Sequence, residues 1–482
     1  MNKYKKLALN TMIFATGSFG SKILVLLLTR LYTKNIDPTG MGIKSQLEMT
    51  ALFLQPIFTF ALQEYLIRFG LDKNYDKRDV FTTSSIITAV GMAAVIIIVP
   101  GLRFISPLSF IKGYSLLLAV YVCTSSLRML CAQFVRARDM VKLFALDGIL
   151  ATLMLLIFNL LFIEWLHMGV KGFMLAVILS DLCSSIFLFA AAKLYKFISP
   201  KHFKISLAQE MMRYSLPLIP TIVMWTITSL SDRLFISNMH SSRVQLGLDM
   251  SGIYSLAAIV PNLISMVSTI FFQAWNMSAI SENESADRSK FYERVYNAYE
   301  AVLFIASAGL LLFIKPVTAF LNNTSNFEEY STVYIYAPIL VASVIFMSLN
   351  QFLGGIYTAT KHTQNSLWTS AFACVANLIL NYFLIPAWGI QGAAIATFLS
   401  YFMCFLIRMV DARFYVPFKV NFAKSFVNTT VIIIMCVIII KSPKLWGLWL
   451  VPFCAVIIAY NFKALQATMQ KILKKRSTKA TN

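Results

Sequence analysis

At 482 residues the chain could hold about three soluble domains of roughly 150 residues each. Its composition excludes them, because 58% of the residues are hydrophobic and only 13% are charged, against a charged share of about 25% in soluble domains. Disulfide scaffolds, disordered chains and fibres are excluded with them, and the net charge of +21, from 42 Lys and Arg against 21 Asp and Glu, reads as membrane topology with no nucleic-acid partner.

The chain is expected to be an all-α integral membrane protein. A crossing takes about 20 mostly apolar residues, and such blocks recur at 10–32, 41–63, 80–100, 114–134, 143–164, 171–192, 214–237, 251–279, 296–320, 333–357, 367–386, 391–410, 426–441 and 446–462. These are fourteen transmembrane spans. The opening MNKYKK and the apolar run after it begin like a signal peptide. The run passes Leu28 without a small-residue cleavage site, so the first span is expected to be retained. The thirteenth is short from Val427 to Ile440 and is closely followed by Pro443, which leaves a re-entrant segment as the alternative. The seven cysteines all lie inside apolar blocks with no CxxC pair and read as core residues.

With the N-terminus in the cytoplasm, 29 of the 42 Lys and Arg fall on the inner side and 11 on the outer, leaving Lys22 and Arg128 within the membrane. The positive-inside rule therefore places both termini in the cytoplasm, and an even number of spans agrees. The basic tail from Lys463 to Lys479 suits the anionic inner leaflet.

An internal repeat is legible. Gly169, Gly172, Ala176, Leu179 and Ser180 recur as Gly389, Gly392, Ala396, Leu399 and Ser400 at an offset of 220, and Asn159 and Ile163 recur as Asn381 and Ile385 at 222. Both copies enter in the same orientation, as in a parallel repeat of six spans. The expected architecture is an N-terminal six-helix lobe (1–200), a C-terminal six-helix lobe (201–412) and two further helices with a basic tail (413–482), the two lobes facing a central cavity. Chance similarity between apolar helices is the alternative.

Catalytic patterns are missing. His167, His202, His240 and His362 lie in separate loops, without HExxH, GxxxxGK or GxSxG. No polar segment is long enough for a soluble catalytic domain, and no cofactor or metal is expected. Chemistry is then expected between helices, where an ionisable residue costs about 2.5–3.5 kcal/mol to place at the centre of the membrane. On span 1, Thr11, Ala15, Ser18, Lys22 and Thr29 share one face with Arg30 on its flank. Lys44 and Glu48 on span 2 are four apart and able to pair. Arg128, Asp181, Asp232 and Arg233 complete the charged set, and Asn262, Ser265, Thr269, Phe272, Gln273 and Asn276 bring polar character to span 8. Structural ion pairs, snorkelling and helix-to-helix hydrogen bonds are the competing readings of each. Trp225, Tyr254 and Trp275 could stack on sugar rings, while Pro217 and Pro220 mark a bend or gate at the start of span 7.

From Tyr214 to Ser237 the chain reads YSLPLIPTIVMWTITSLSDRLFIS, and from Gly252 to Trp275 GIYSLAAIVPNLISMVSTIFFQAW. These stretches, with Asn10 to Thr33 and GIQGAAIATFLSY from Gly389 to Tyr401, resemble the Wzx-type polysaccharide flippases of the multidrug/oligosaccharidyl-lipid/polysaccharide exporter superfamily. The family's aromatic-Gly after span 1 is Met41-Gly42 here. The resemblance implies a transporter in the bacterial cytoplasmic membrane rather than an enzyme. It would move an undecaprenyl-pyrophosphate-linked oligosaccharide to the outer leaflet for capsule, O-antigen or exopolysaccharide. Its partners would be the lipid-linked glycan, membrane lipids and a coupling ion, H+ or Na+. A cationic cavity around Lys22 suits a pyrophosphate head, since one charge pair at 4 Å and an effective dielectric near 20 gains about 4 kcal/mol. A lipid II flippase, a drug exporter of the same superfamily and a membrane glycan polymerase are the rival readings.

Overall fold

The computed structural model describes residues 26–72, 74–282, 287–323, 326–360, 362–442 and 444–477, and these form a helical bundle with no strand among them. Helix α1 is described over 26–35. Helix α2 (Pro38–Phe58) starts where the Asp37 carboxylate accepts a hydrogen bond from the Gly40 amide at 3.1 Å, with Pro38 in the first turn where its missing donor costs nothing. Phe60 and Ala61 then take left-handed backbone angles, and the same pass continues as α3 (Leu62–Leu71). Helix α4 (Lys77–Ile98) is capped by Asp76, and two 3₁₀ turns lead to α5 (Ser115–Ala137). Helix α6 (Val141–Asn159) widens into a π turn over Leu160–Trp165, and α7 (Gly169–Ala191) closes the first set of six passes.

After a linker come α8 (Ile205–Ser215), which packs on α3 and α4, and α9 (Ile219–Asn238), the two separated by a 3₁₀ turn at Leu216–Leu218. The chain continues with α10 (Leu248–Ala257), α11 (Ile259–Glu282), α12 (Arg288–Leu312), the short α13 (Ile314–Leu321) and α14 (Val333–Ala359). Helix α15 (Thr363–Tyr415) is two passes, because Gly389 takes φ 58° and turns the chain back on itself. The Asn377 amide consequently lies 3.5 Å from the Thr397 hydroxyl, where a straight helix would hold residues twenty apart about 30 Å from each other. Helices α16 (Phe422–Lys441) and α17 (Trp446–Ser477) pack on α12 and α14. Among the described residues nine segments are long and apolar enough to cross a membrane, and one of them contains both halves of α15. The thirteenth span is a continuous helix of 20 residues from Phe422, so its length, about 30 Å, is that of a full crossing rather than a re-entrant turn.

The repeat is carried in the backbone. Gly169 and Gly389 both have positive φ, 54° and 58°, and both redirect the chain between consecutive passes. Three residues on, a Cβ at Gly172 would approach the Phe162 carbonyl to 3.0 Å and one at Gly392 the Leu384 carbonyl to 2.1 Å, so each fold-back is tight at the same place. The two sets of passes meet where α2 crosses α10. A Cβ on Gly42 would lie 2.1 Å from the Leu248 carbonyl oxygen, and one on Gly252 would lie 1.9 Å from that of Pro38. The contacts are reciprocal at an offset of 210, and Gly42-Ile43-Lys44-Ser45 stands opposite Gly252-Ile253-Tyr254-Ser255. Only glycine lets two helix backbones approach so closely.

That crossing lies toward the end of the bundle away from the basic loops, here the far end. There the end of α1 is tied to the second lobe: Thr33 Oγ1 accepts from the Asn323 amide at 2.8 Å, Asn326 Nδ2 donates to the Lys34 carbonyl at 2.7 Å, and the buried Tyr330 hydroxyl donates to the Ile36 carbonyl at 2.6 Å.

Candidate functional site

Between the lobes lies a cavity of about 470 Å³, walled by α1, α2, α5, α6 and α7 on one side and by α9, α10, α11, α14 and α15 on the other. Its ionisable lining residues are Lys44, Glu48, Asp232 and Arg233, two cations and two carboxylates. The Lys44 ammonium sits 3.1 Å from Glu48 and 4.7 and 4.2 Å from the ring centroids of Tyr32 and Phe173. The i,i+4 spacing makes the ion pair, and the aromatic faces hold the charge in an otherwise apolar wall.

Asp232 and Arg233 are neighbours in sequence but point to different helices, since successive residues on a helix diverge by about 100°. Arg233 turns toward α2, where Nε donates to Ser45 Oγ at 2.7 Å, while Nη1 donates to the Ser229 carbonyl of its own helix at 2.5 Å. No carboxylate lies within ion-pair distance of it among the described residues. Asp232 turns into its own lobe, toward α10 and α15, and accepts from Asn381 Nδ2 at 2.6 Å, the Tyr254 hydroxyl at 2.5 Å and Thr397 Oγ1 at 2.9 Å. Behind it Asn377 Oδ1 receives hydrogen bonds from Ser231 and Asn381, while the buried Asn381 Oδ1 has no hydrogen-bond partner among the described residues. Among the described residues Arg233 is the one arginine that lines the cavity, with Nε and Nη1 hydrogen-bonded within the protein.

Of the other sequence candidates, Asn262 and Ser265 of α11 line the cavity with these groups. Arg128 does not, because it is drawn into the first lobe, with Nη1 3.1 Å from Asp181, Nε 3.1 Å from Ser184 Oγ and Asp147 at 3.9 Å. Asp181 is held in the same network. Arg30 is exposed, its guanidinium 5.8 Å from the Phe320 ring. Trp275 is fully buried in the second lobe, stacked on Phe352 at 4.2 Å with its Nε1 donating to the Phe352 carbonyl, so it packs the core instead of facing a sugar. Thr269 is exposed and bonds back to the Ser265 carbonyl. Pro217 lies in the 3₁₀ turn before α9 and Pro220 in the first turn of that helix, both away from the cavity. Lys22 and the side chain of Gln273 lie outside the described residues. Sequence reasoning missed Asn377, Thr397 and Asp147. The signal was there in two of them: Asn377 and Asn381 are polar residues four apart in an apolar span, and Asp147 is an acid within one.

Fold and cavity together define a class, a two-lobed helical membrane bundle around a central cavity. Three solved structures share it: an inward-facing multidrug-resistance MATE transporter (TM-score 0.66, 14% identity, 86% of this chain and 99% of that one), its outward-facing counterpart (0.63, 13%, 86% and 96%) and the lipid II flippase MurJ in an inward closed conformation (0.63, 14%, 96% and 99%). An uncharacterized membrane protein of Methanocaldococcus jannaschii is 28% identical over 265 residues, so the match spans 52% of this chain and 59% of that relative. The chain belongs to the polysaccharide biosynthesis protein family, whose model matches residues 7–276.

Proposed function

We propose that the protein is a flippase that carries an undecaprenyl-pyrophosphate-linked oligosaccharide from the inner to the outer leaflet of a bacterial cytoplasmic membrane, for capsule, O-antigen or exopolysaccharide synthesis. The observation that carries this reading is Arg233, a cavity guanidinium without an acidic partner among the described residues. A guanidinium presents a planar fork of donors that matches phosphate oxygens, and a pyrophosphate would complete the donors that Ser45 and Ser229 leave free. Tyr32, Tyr254 and Tyr401 give the same cavity apolar faces with hydroxyl edges, which suit sugar rings. The polyprenyl tail stays in the bilayer, because each methylene exposed to water costs about 0.8 kcal/mol.

Placing the basic end in the cytoplasm puts both termini there. The hydrogen bonds that join α1 to the second lobe at the far end support a cavity that receives substrate from the cytoplasmic side. The polar nest of Asp232, Asn377, Asn381 and Thr397 supports coupling to a small cation, H+ or Na+, through the buried acceptor of Asn381.

The test is transport by the purified protein in vesicles loaded on one leaflet with an undecaprenyl-pyrophosphate oligosaccharide, with lipid II in parallel. Transfer of the oligosaccharide lipid, reduced in Arg233→Gln, is expected. Transfer of lipid II alone, or of neither lipid, would overturn the assignment.

A further inference from the structure

The linker between α7 and α8 is held to the first lobe along one side. Asp79 of α4 pairs with His202 at 2.7 Å and with Lys204 at 2.5 Å. Thr82 of α4 donates to the Phe197 carbonyl and accepts from the Ser199 amide. Arg138 Nη1 donates to the Ala192 carbonyl at 2.8 Å, and its guanidinium lies 4.5 Å from the Phe197 ring. Leu194 is buried against the same core as Phe81 and Phe134.

The exposed residues of the same segment are apolar and basic at once. Tyr195 is 54% exposed, Ile198 45%, Phe203 39% and Ile205 69%, all outside the membrane-spanning helices. Lys193, Lys196 and Lys201 of the same segment are exposed too. Facing water, such side chains would be an unfavourable surface for a segment so firmly fixed. Facing an acidic protein or a nucleic acid, the cations would have a partner and the aliphatic side chains would not. One surface answers both: acyl chains under the apolar groups and anionic headgroups beside the lysines, each cation near such a surface adding to the attraction.

We infer that the linker from Lys193 to Ile205 is a docking surface for anionic phospholipid headgroups at the basic end of the first lobe. It is built on a fixed segment, so bound lipid sets the depth of that lobe, while the chain beyond α8 enters the second lobe through the turn at Pro217.

The experiment compares amide hydrogen exchange of residues 193–205 in the full-length protein, in nanodiscs of phosphatidylcholine alone and with part replaced by phosphatidylglycerol. Phosphatidylglycerol is expected to slow exchange in the linker by about tenfold, and high salt to reverse this. The triple variant Lys193→Gln, Lys196→Gln, Lys201→Gln should lose the slowing, while Lys171→Gln at the far end keeps it. All three sites are exposed, and wild type in high salt makes the same comparison without mutation. Equal exchange in both lipids, slowing that survives in the triple variant or in high salt, or protection by a short RNA in place of phosphatidylglycerol would each overturn the inference.

Discussion

Arg233 and Asp232 show how far one helical step separates two roles. Removing the charge of Arg233 with glutamine keeps the reach to Ser45, so the expected loss is electrostatic: about 2–4 kcal/mol of head-group binding, or a fall in transport of about two orders of magnitude at limiting substrate. Membrane abundance should be unchanged. Transport at the normal rate would remove Arg233 from the site. Asp232→Asn should behave differently, because Asn381, Tyr254 and Thr397 still find an acceptor. Its expected signature is transport that no longer responds to an imposed cation gradient, read by comparing rates with and without the gradient. At this scale the sequence was partly legible. The Lys44–Glu48 pair follows from spacing alone, and the Asp-Arg neighbours were recognisable. Trp275 was not, since its burial depends on Phe352, 77 residues away, and identity alone does not say which face of α11 is covered. Arg128 was misplaced for the same reason: Asp147 and Asp181 come from two other helices.

Among the elements, breaks in helices were harder to read than helices. Apolar blocks announce a pass, but the kink at Phe60–Ala61 and the π turn after Asn159 leave the hydropathy unchanged. Glycine and proline were better guides. Pro217 and Pro220 do stand at a helix junction, and if that junction bends during transport, replacing both with alanine should restore a continuous α8–α9 helix and slow transport without reducing insertion. Normal transport in the double variant would count against the bend. The tie at the far end gives a second prediction. Tyr330→Phe leaves the Ile36 carbonyl buried without its partner, a cost of about 1–3 kcal/mol to the closed state. A cysteine at Ser229 in a cysteine-free background should then be labelled faster from the far side by about an order of magnitude. Unchanged labelling would mean that the tie does not govern access.

Across the whole molecule, composition and periodicity carried the fold: a helical membrane protein, a repeat of six passes and a cavity between lobes. The division between the lobes was less legible, because α8 follows the linker in sequence but buries Leu207, Ala208 and Met211 in the core that holds Tyr65 and Phe134 of the first lobe. We propose that the lobes part at the Leu216–Leu218 turn. Orientation is testable directly. In intact cells an impermeant thiol reagent should label a single cysteine at His240 and spare one at Lys196, and the reverse pattern would invert the topology.

The crossing of α2 and α10 has the geometry of an isologous dimer interface contained in one chain. Each copy of the Gly-Ile-x-Ser stretch supplies both the backbone that approaches and the glycine that makes room. A side chain added to either glycine would disturb both lobes at once, so this contact is confined to one solution. The position between is not: Lys44 in one copy is Tyr254 in the other, and both face the cavity. A scaffold that must stay symmetric at its seam can thus present a cation from one side and an aromatic hydroxyl from the other. An asymmetric ligand, charged at one end and hydroxylated along its length, could be held in a single orientation by two copies of the same motif.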